Sequence, residues 1–283
     1  MDIWDYVEAV LVINMDRSVD RWQAFQRSVE GVIPPERLHR ISAVPGVELP
    51  GYGEKPWFRK RTESKARQWA GVAGCAASHR RAVAFAKQQG YRRVLILEDD
   101  AEFTPAWQQG QSFVAESLSS LTGPFLFYLG YHKPNPHGVQ LAAQQNFSLW
   151  RTEGVLTTHA YMISEELYDL ILRMLPQEGP ALWPWVARYR AYDTFLRAYL
   201  STRSDVATYL LYPTLINQSG AVSDISTAEG DLSSMLCRRP PLPLTLTRRL
   251  ALPLRALKIR TNSLYTLTRN YLLGLPGLRK KKR

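Results

Sequence analysis

Apolar residues recur in short runs separated by stretches of helical period. Val10, Leu11, Val12 and Ile13 form a compact run ahead of Asn14, and Trp22, Phe25 and Val29 then follow at intervals of three and four. A strand feeding a helix is predicted over 10–29. Between 75 and 89, Cys75, Ala76, His79, Ala82, Val83 and Ala86 keep a helical period, and Gly90 stands where a left-handed residue ends a helix. Val94, Leu95, Ile96 and Leu97 read as a buried strand, 125–129 and 161–163 as further strands, and 165–174 as a helix. Strands apolar on both faces and alternating with helices predict an α/β fold with a mainly parallel sheet flanked by helices. Ligands in such sheets sit at the carboxyl ends of strands. The segment 46–60, rich in Gly, Pro and charge, reads as a long mobile loop that closes over a substrate. No internal repeat interrupts the pattern.

Composition adds bounds. With 283 residues, 45% apolar and 22% charged, the chain can bury one core of about 240 residues or two smaller ones. Asp2, Asp5 and Glu8 precede the first apolar run, opposite in sign to a secretory signal, so export is not expected. Two cysteines, Cys75 and Cys237, make neither a disulfide framework nor a Cys-rich zinc site and fit a reducing compartment. The net charge is +11, yet 13 of the 36 Lys and Arg residues and none of the 25 Asp and Glu residues lie in 238–283. The body is therefore slightly acidic, and basicity belongs to the tail. A nucleic-acid partner is not expected, because such a protein concentrates positive charge around its site.

The densest chemistry follows the 94–97 strand. Glu98, Asp99 and Asp100 stand at its carboxyl end, and alternation sends Glu98 and Asp100 to one side, about 7 Å apart at Cα. Two hard carboxylates there suit Mg²⁺ or Mn²⁺, whose remaining positions diphosphate oxygens can fill. The other reading of the triplet is a helix cap or a solvated acidic turn.

The block Gly71-Val72-Ala73-Gly74-Cys75-Ala76-Ala77-Ser78-His79, then Gly90-Tyr91, then Val94 to Leu97 with Glu98-Asp99-Asp100-Ala101-Glu102-Phe103, resembles glycosyltransferase family 25. Collinear blocks extend the resemblance over most of 10–225: Val12-Ile13-Asn14-Met15-Asp16-Arg17 with Asp20-Arg21, Arg40-Ile41-Ser42-Ala43-Val44, Tyr128-Leu129-Gly130, Thr158-His159-Ala160-Tyr161-Met162-Ile163-Ser164, Tyr192-Asp193-Thr194-Phe195-Leu196 and Ser223-Asp224-Ile225. Val72 and Pro45 depart from it, standing where the family carries acidic residues. The resemblance implies a GT-A type fold over 1–237, a nucleotide-sugar donor (commonly UDP-galactose), a divalent metal (Mn²⁺ or Mg²⁺) and inversion at the anomeric carbon. On this pattern Glu98 and Asp100 hold the metal, and Asn14, Arg17, Ser78, His79, Glu98, Asp99 and His159 bind the nucleotide sugar. Asp193 is the base for the acceptor hydroxyl, with completion of the metal shell or capping of the helix at Thr194 as its other roles. His79 also fits a hydrogen-bonded core histidine, and His159 a satisfied loop imidazole. Arg17 and Arg21 are placed to meet a diphosphate. Trp57, Phe58 and Trp69 fit stacking on a base or sugar as well as core packing.

The tail, 238–283, opens with prolines and continues with Leu254, Leu257, Leu264, Tyr265, Thr268, Tyr271 and Leu272 at near-helical spacing among basic residues, ending in Arg279-Lys280-Lys281-Lys282-Arg283. It reads as an amphipathic segment lying on an anionic membrane, with no apolar run long enough to span one. Together these readings describe a hexosyltransferase, cytoplasmic and peripheral on the inner face of the cell membrane, with a UDP-sugar donor and a glycan or lipid-linked acceptor. The alternative is a non-catalytic nucleotide-sugar-binding or membrane-associated scaffold of the same fold.

Overall fold

The computed structural model describes residues 1–132, 136–200, 202–219 and 239–275. The block Ser223-Asp224-Ile225, Cys237 and the terminal cluster 279–283 lie outside the described residues.

Six consecutive buried residues make Ala9–Asn14 (β1) an interior strand. Along the chain follow α1 (Val19–Ser28), β2 (Leu38–Ser42), α2 (Glu63–Gln89), β3 (Arg93–Glu98), β4 (Ala101–Phe103), α3 (Trp107–Ser120), β5 (Phe125–His132), β6 (His137–Gln144), β7 (Phe147–Thr152), β8 (Leu156–Ser164), α4 (Tyr168–Met174), α5 (Leu182–Tyr189), α6 (Tyr192–Leu200), β9 (Ala207–Tyr212), β10 (Ile216–Gln218), β11 (Leu242–Pro243), α7 (Leu246–Leu250) and α8 (Leu252–Gly274). A nine-stranded sheet runs β11-β6-β7-β9-β5-β8-β3-β1-β2, and β10 pairs with β4 apart from it. β2, β1 and β3 are parallel neighbours, as are β5 and β9, while β8 enters antiparallel between β3 and β5. The α/β architecture, with helices on both faces, is the one the alternation predicts.

Alternate residues of β1 feed two cores. Leu11 and Ile13 pack with α2, α4, α5 and α6 on one face, Val10 and Val12 with α1 and α3 on the other. α2 starts well before the 75–89 stretch that its apolar period marks, because Thr62 caps it by accepting from the Lys65 nitrogen at 3.4 Å. It ends where expected, at Gly90 with φ +73°.

The 46–60 segment is not an open loop. Leu49 and Phe58 are buried, Phe58 meets Trp183 edge to face at 4.8 Å, and the Trp183 indole nitrogen donates to the Pro50 carbonyl at 2.8 Å. Aromatic burial outweighs the turn-forming composition that suggested mobility.

The basic C-terminal segment returns to the body. β11 pairs with the edge of β6, and α8 lies against α5: Asn270 Nδ2 donates to the Ala187 carbonyl at 3.0 Å and Arg188 Nε to Ser263 Oγ at 3.2 Å. Its outer face exposes Leu254, Leu257, Leu264, Tyr265 and Leu272, and Leu246 and Leu250 of α7 are exposed as well. Among the described residues no helix is long and apolar enough to cross a membrane.

Candidate active site

β1 and β3 are in register at Ile13 and Glu98, so the segments leaving both strands emerge at one edge of the sheet. There a cleft of about 720 Å³ opens, lined by Arg17, Arg21, Ser78, His79, Glu98, Asp99 and Asp100. Its far wall is the 43–47 segment, seated on α2. Gly74 permits that seat: a Cβ there would overlap the Val44 carbonyl oxygen and stand 2.9 Å from the Gly46 nitrogen. One turn on, the buried Ser78 Oγ donates to the Gly74 carbonyl at 2.6 Å and accepts from the Val44 nitrogen at 2.8 Å. Ser78 thus reaches the cleft as the clamp of its wall.

The three acids part company. β3 ends at Glu98, so strand alternation does not continue through Asp99 and Asp100, which sit in the turn before β4. Asp99 accepts from Asn14 Nδ2 at 2.6 Å and pairs with Arg21. Burial nevertheless raises its pKa, outweighing Asn14 and Arg21, and the charge of Glu98 adds to the rise. Asn14 is itself fully buried and takes Arg40 Nε on its oxygen at 2.9 Å, so it positions Asp99 from inside the fold. Asp100 accepts from Gln218 Nε2 at 3.3 and 3.4 Å, and burial together with the charge of Glu98 pushes its pKa up to about 7. Glu98 takes other partners in the same cleft, lying 3.5 Å from His79 Nε2 and accepting from Thr158 Oγ1 at 3.4 Å. Burial alone would raise its pKa, but His79, first, and the hydrogen bond from Thr158 hold it below the ordinary value.

His79 is a core histidine and a site residue at once. Its ring stacks on Tyr192 at 4.6 Å, its Nδ1 lies 3.1 Å from the Tyr161 hydroxyl, and its Nε2 edge faces Glu98. Cys75, one helical turn earlier, completes a group whose ligand atoms all lie within 4.8 Å: Cys75 Sγ, a His79 nitrogen and a Glu98 oxygen. Burial, then the charges of Glu98 and Asp193, push the thiol well up, so it is protonated at neutral pH. The sequence pattern gives Cys75 no role in the site; its place in the same block as Ser78 and His79 was the available signal.

β8 supplies what the sequence did not reveal. Its register against β5 shifts on either side of Gly130, a bulge that re-aims Thr157, Thr158 and His159. Thr157 has φ +71°, a strained conformation for a β-branched residue, of the kind that persists where surrounding contacts hold it. Its nitrogen donates to Asp193 Oδ2 at 3.0 Å, while the next residue, Thr158, holds Glu98. Asp193 lies in the first turn of α6, where its other oxygen accepts from the Thr194 nitrogen at 2.5 Å and Thr194 Oγ1 at 3.2 Å. It therefore lies within the helix and does not cap it, and its charge is felt at Cys75, a residue of the cleft lining. His159 turns inward: Nε2 donates to the Ile216 carbonyl at 3.3 Å and Nδ1 lies 3.0 Å from Thr157 Oγ1. It fits because position 130 is glycine, where a Cβ would overlap its ring. Burial, then His132, pull its pKa down to about 4, so His159 is a neutral support behind the strand and not part of the cleft lining.

The cleft joins three acids to Arg17 and Arg21 at the carboxyl edge of an α/β sheet, and the chain that forms it matches a glycosyltransferase profile, so the class is glycosyltransferase. More particularly, residues 7–174 match the profile of glycosyltransferase family 25, described as an LPS biosynthesis protein, and the chain belongs to that family. The match includes the acidic triplet and His159 and stops before Asp193. No curated protein matches the sequence. Among solved structures, a glycosyltransferase involved in the glycosylation of the major capsid of PBCV-1 is 10% identical, with a TM-score of 0.41 over 76% of this chain and 94% of that one. A mannose-1-phosphate geranyltransferase from Thermus thermophilus is 16% identical, with a TM-score of 0.38 over 72% and 74%. Both are remote.

Proposed function

We propose that the protein transfers a hexose, galactose as first choice, from a UDP-sugar to a glycan or lipid-linked saccharide of the cell surface, with inversion, through a GT-A type site. The observation that carries this reading is the placement of Glu98, Asp99 and Asp100 in one cleft with Arg17 and Arg21. A nucleoside diphosphate brings negative charge, and the two arginines offer it planar donors.

The residues fit a divalent cation. Asp99 is committed to Asn14 and Arg21, whereas among the described residues no Lys or Arg forms an ion pair with Glu98 or Asp100. Burial, and then the charge of Glu98, raise the Asp100 pKa, and a bound cation would offset both. Glu98 and Asp100 would hold Mn²⁺ or Mg²⁺, and the bound ion would offset charge on the departing diphosphate. Asp193 takes the proton of the attacking acceptor hydroxyl, its carboxylate oriented by Thr157 and by the start of α6. Displacement from the face opposite the diphosphate inverts the anomeric carbon.

The outer stripe of α7 and α8, apolar and set in a segment with no acid from 238 to 283, rests on an anionic membrane and keeps the protein peripheral on the cytoplasmic face. The experiment is calorimetric titration of UDP into wild-type and Asp100→Ala protein with and without Mn²⁺. Binding that needs Mn²⁺ and disappears in the variant supports the donor site. Absence of UDP binding under both conditions refutes it.

A further inference from the structure

A second groove, about 1130 Å³, lies between the 56–61 segment, the end of α5 and the inner face of α8. It uses a different face of α2 from the cleft: Lys65, Trp69 and Val72 line the groove, while Gly71, Gly74 and Ser78 line the cleft. Its charged lining is Lys60, Arg61, Lys65, Arg190 and Arg269, with no Asp or Glu among the described residues.

Arg61 is the built part of this surface. It is only partly exposed, its Nε donates to the Trp57 carbonyl at 2.8 Å, its Nη2 lies 3.4 Å from Asn270 Oδ1, and its guanidinium stands 3.2 Å from the centroid of the Trp69 ring. All of these partners are neutral. Burial without a counter-charge pulls its pKa down to about 10. Opposite it, Arg190 closes α5 with φ +73°, an uncommon conformation for arginine. Ala191 also lines the groove, two residues before Asp193. The groove therefore reaches the start of α6, the helix that carries the carboxylate assigned as base.

We infer that this groove is the acceptor site and that it holds the acceptor by a phosphate or diphosphate group, an assignment that rests on the glycosyl transfer proposed above. Guanidinium groups match phosphate oxygens in planar pairs, and Trp57 and Trp69 offer ring faces to a saccharide. A lipid-linked diphosphate and a phosphorylated saccharide present the same chemistry. α8 is shared between this groove and the exposed leucine stripe, so a lipid-anchored phosphate would meet both at once.

The test uses the full-length protein saturated with UDP and Mn²⁺, titrated with inorganic pyrophosphate. In parallel it is mixed with phosphatidylcholine vesicles with and without an isoprenyl diphosphate. Wild type binds pyrophosphate while UDP stays bound, and the double variant Arg190→Gln/Arg269→Gln weakens that binding at least about tenfold with UDP affinity unchanged. Both substituted side chains are exposed, so the variant folds; Arg61→Gln is the stronger but more disruptive companion. A groove-dependent gain on diphosphate-bearing vesicles identifies a lipid-linked source, and groove-dependent binding of soluble pyrophosphate without that gain identifies a phosphorylated saccharide. Pyrophosphate that binds only by displacing UDP, or that binds the double variant as well as wild type, overturns the inference. Failure of UDP itself to bind overturns the donor reading and is read separately in the same titration.

Discussion

Replacing Gly74 with alanine tests how the cleft is built without needing to know the substrate. The new Cβ would collide with the Val44 carbonyl and stand 2.9 Å from the Gly46 nitrogen, and both are backbone atoms that cannot swing aside. Restoring ordinary contact requires the 44–46 segment to move by roughly 1 Å, given optimal separations near 3.5 Å. Overpacking of this kind costs about 1–3 kcal/mol. The same movement breaks the bond from the Val44 nitrogen to Ser78 Oγ, which contributes about 1 kcal/mol. Against this, alanine is about 1 kcal/mol better than glycine inside a helix. The net is a destabilisation of about 1–3 kcal/mol, and at about 2–4 °C per kcal/mol the melting temperature falls by roughly 2–12 °C. Circular dichroism melting measures the first effect, and UDP titration measures the second, a weakened affinity from the displaced wall. Ser78→Ala removes the hydrogen bond without the clash and should produce a smaller fall with the same loss of affinity. A Gly74→Ala protein as stable as wild type with unchanged UDP affinity would refute the contact between the 44–46 segment and α2.

Asp193→Asn keeps an acceptor for the Thr157 nitrogen but loses the charge that takes a proton, so turnover should drop by about 10²–10⁴ with stability changed by less than about 1 kcal/mol. Transfer kinetics beside a melting curve check it, and near-wild-type turnover removes Asp193 as the base. Asp100 carries a pKa of about 7 in the fold, above its ordinary value, so its native-state penalty is absent in acid, grows as pH rises and is fully present above pH 7. Asp100→Asn should therefore raise the melting temperature of the metal-free protein at pH 8 more than at pH 4. An equal shift at both values would show that Asp100 does not carry the raised pKa that burial and Glu98 impose.

The parts of this protein that could be read from sequence are those whose pattern is local. β1 and β3 announce themselves as unbroken apolar runs, and the acidic triplet is legible because a buried strand has to deliver it to an edge. Asn14, Glu98 and Asp99 meet because those two strands are parallel neighbours in register. Elsewhere, the decisive residues depend on what another segment brings to them. Thr157 looks like any strand threonine until a bulge against β5 turns its nitrogen to Asp193, and His159 looks cleft-facing until a glycine on the neighbouring strand admits it to the interior. The 46–60 segment has the composition of a mobile loop, yet Trp183, far along the chain, gives Phe58 and the Pro50 carbonyl something to hold. The α8 helix shows its membrane-like stripe plainly, while its docking rests on Ser263 and Asn270, polar residues that a periodicity argument assigns to solvent. That docking gives the basic tail its second meaning: the helix whose leucines face outward also forms the inner wall of a cationic groove, and charge counting alone assigns its Arg269 to the membrane.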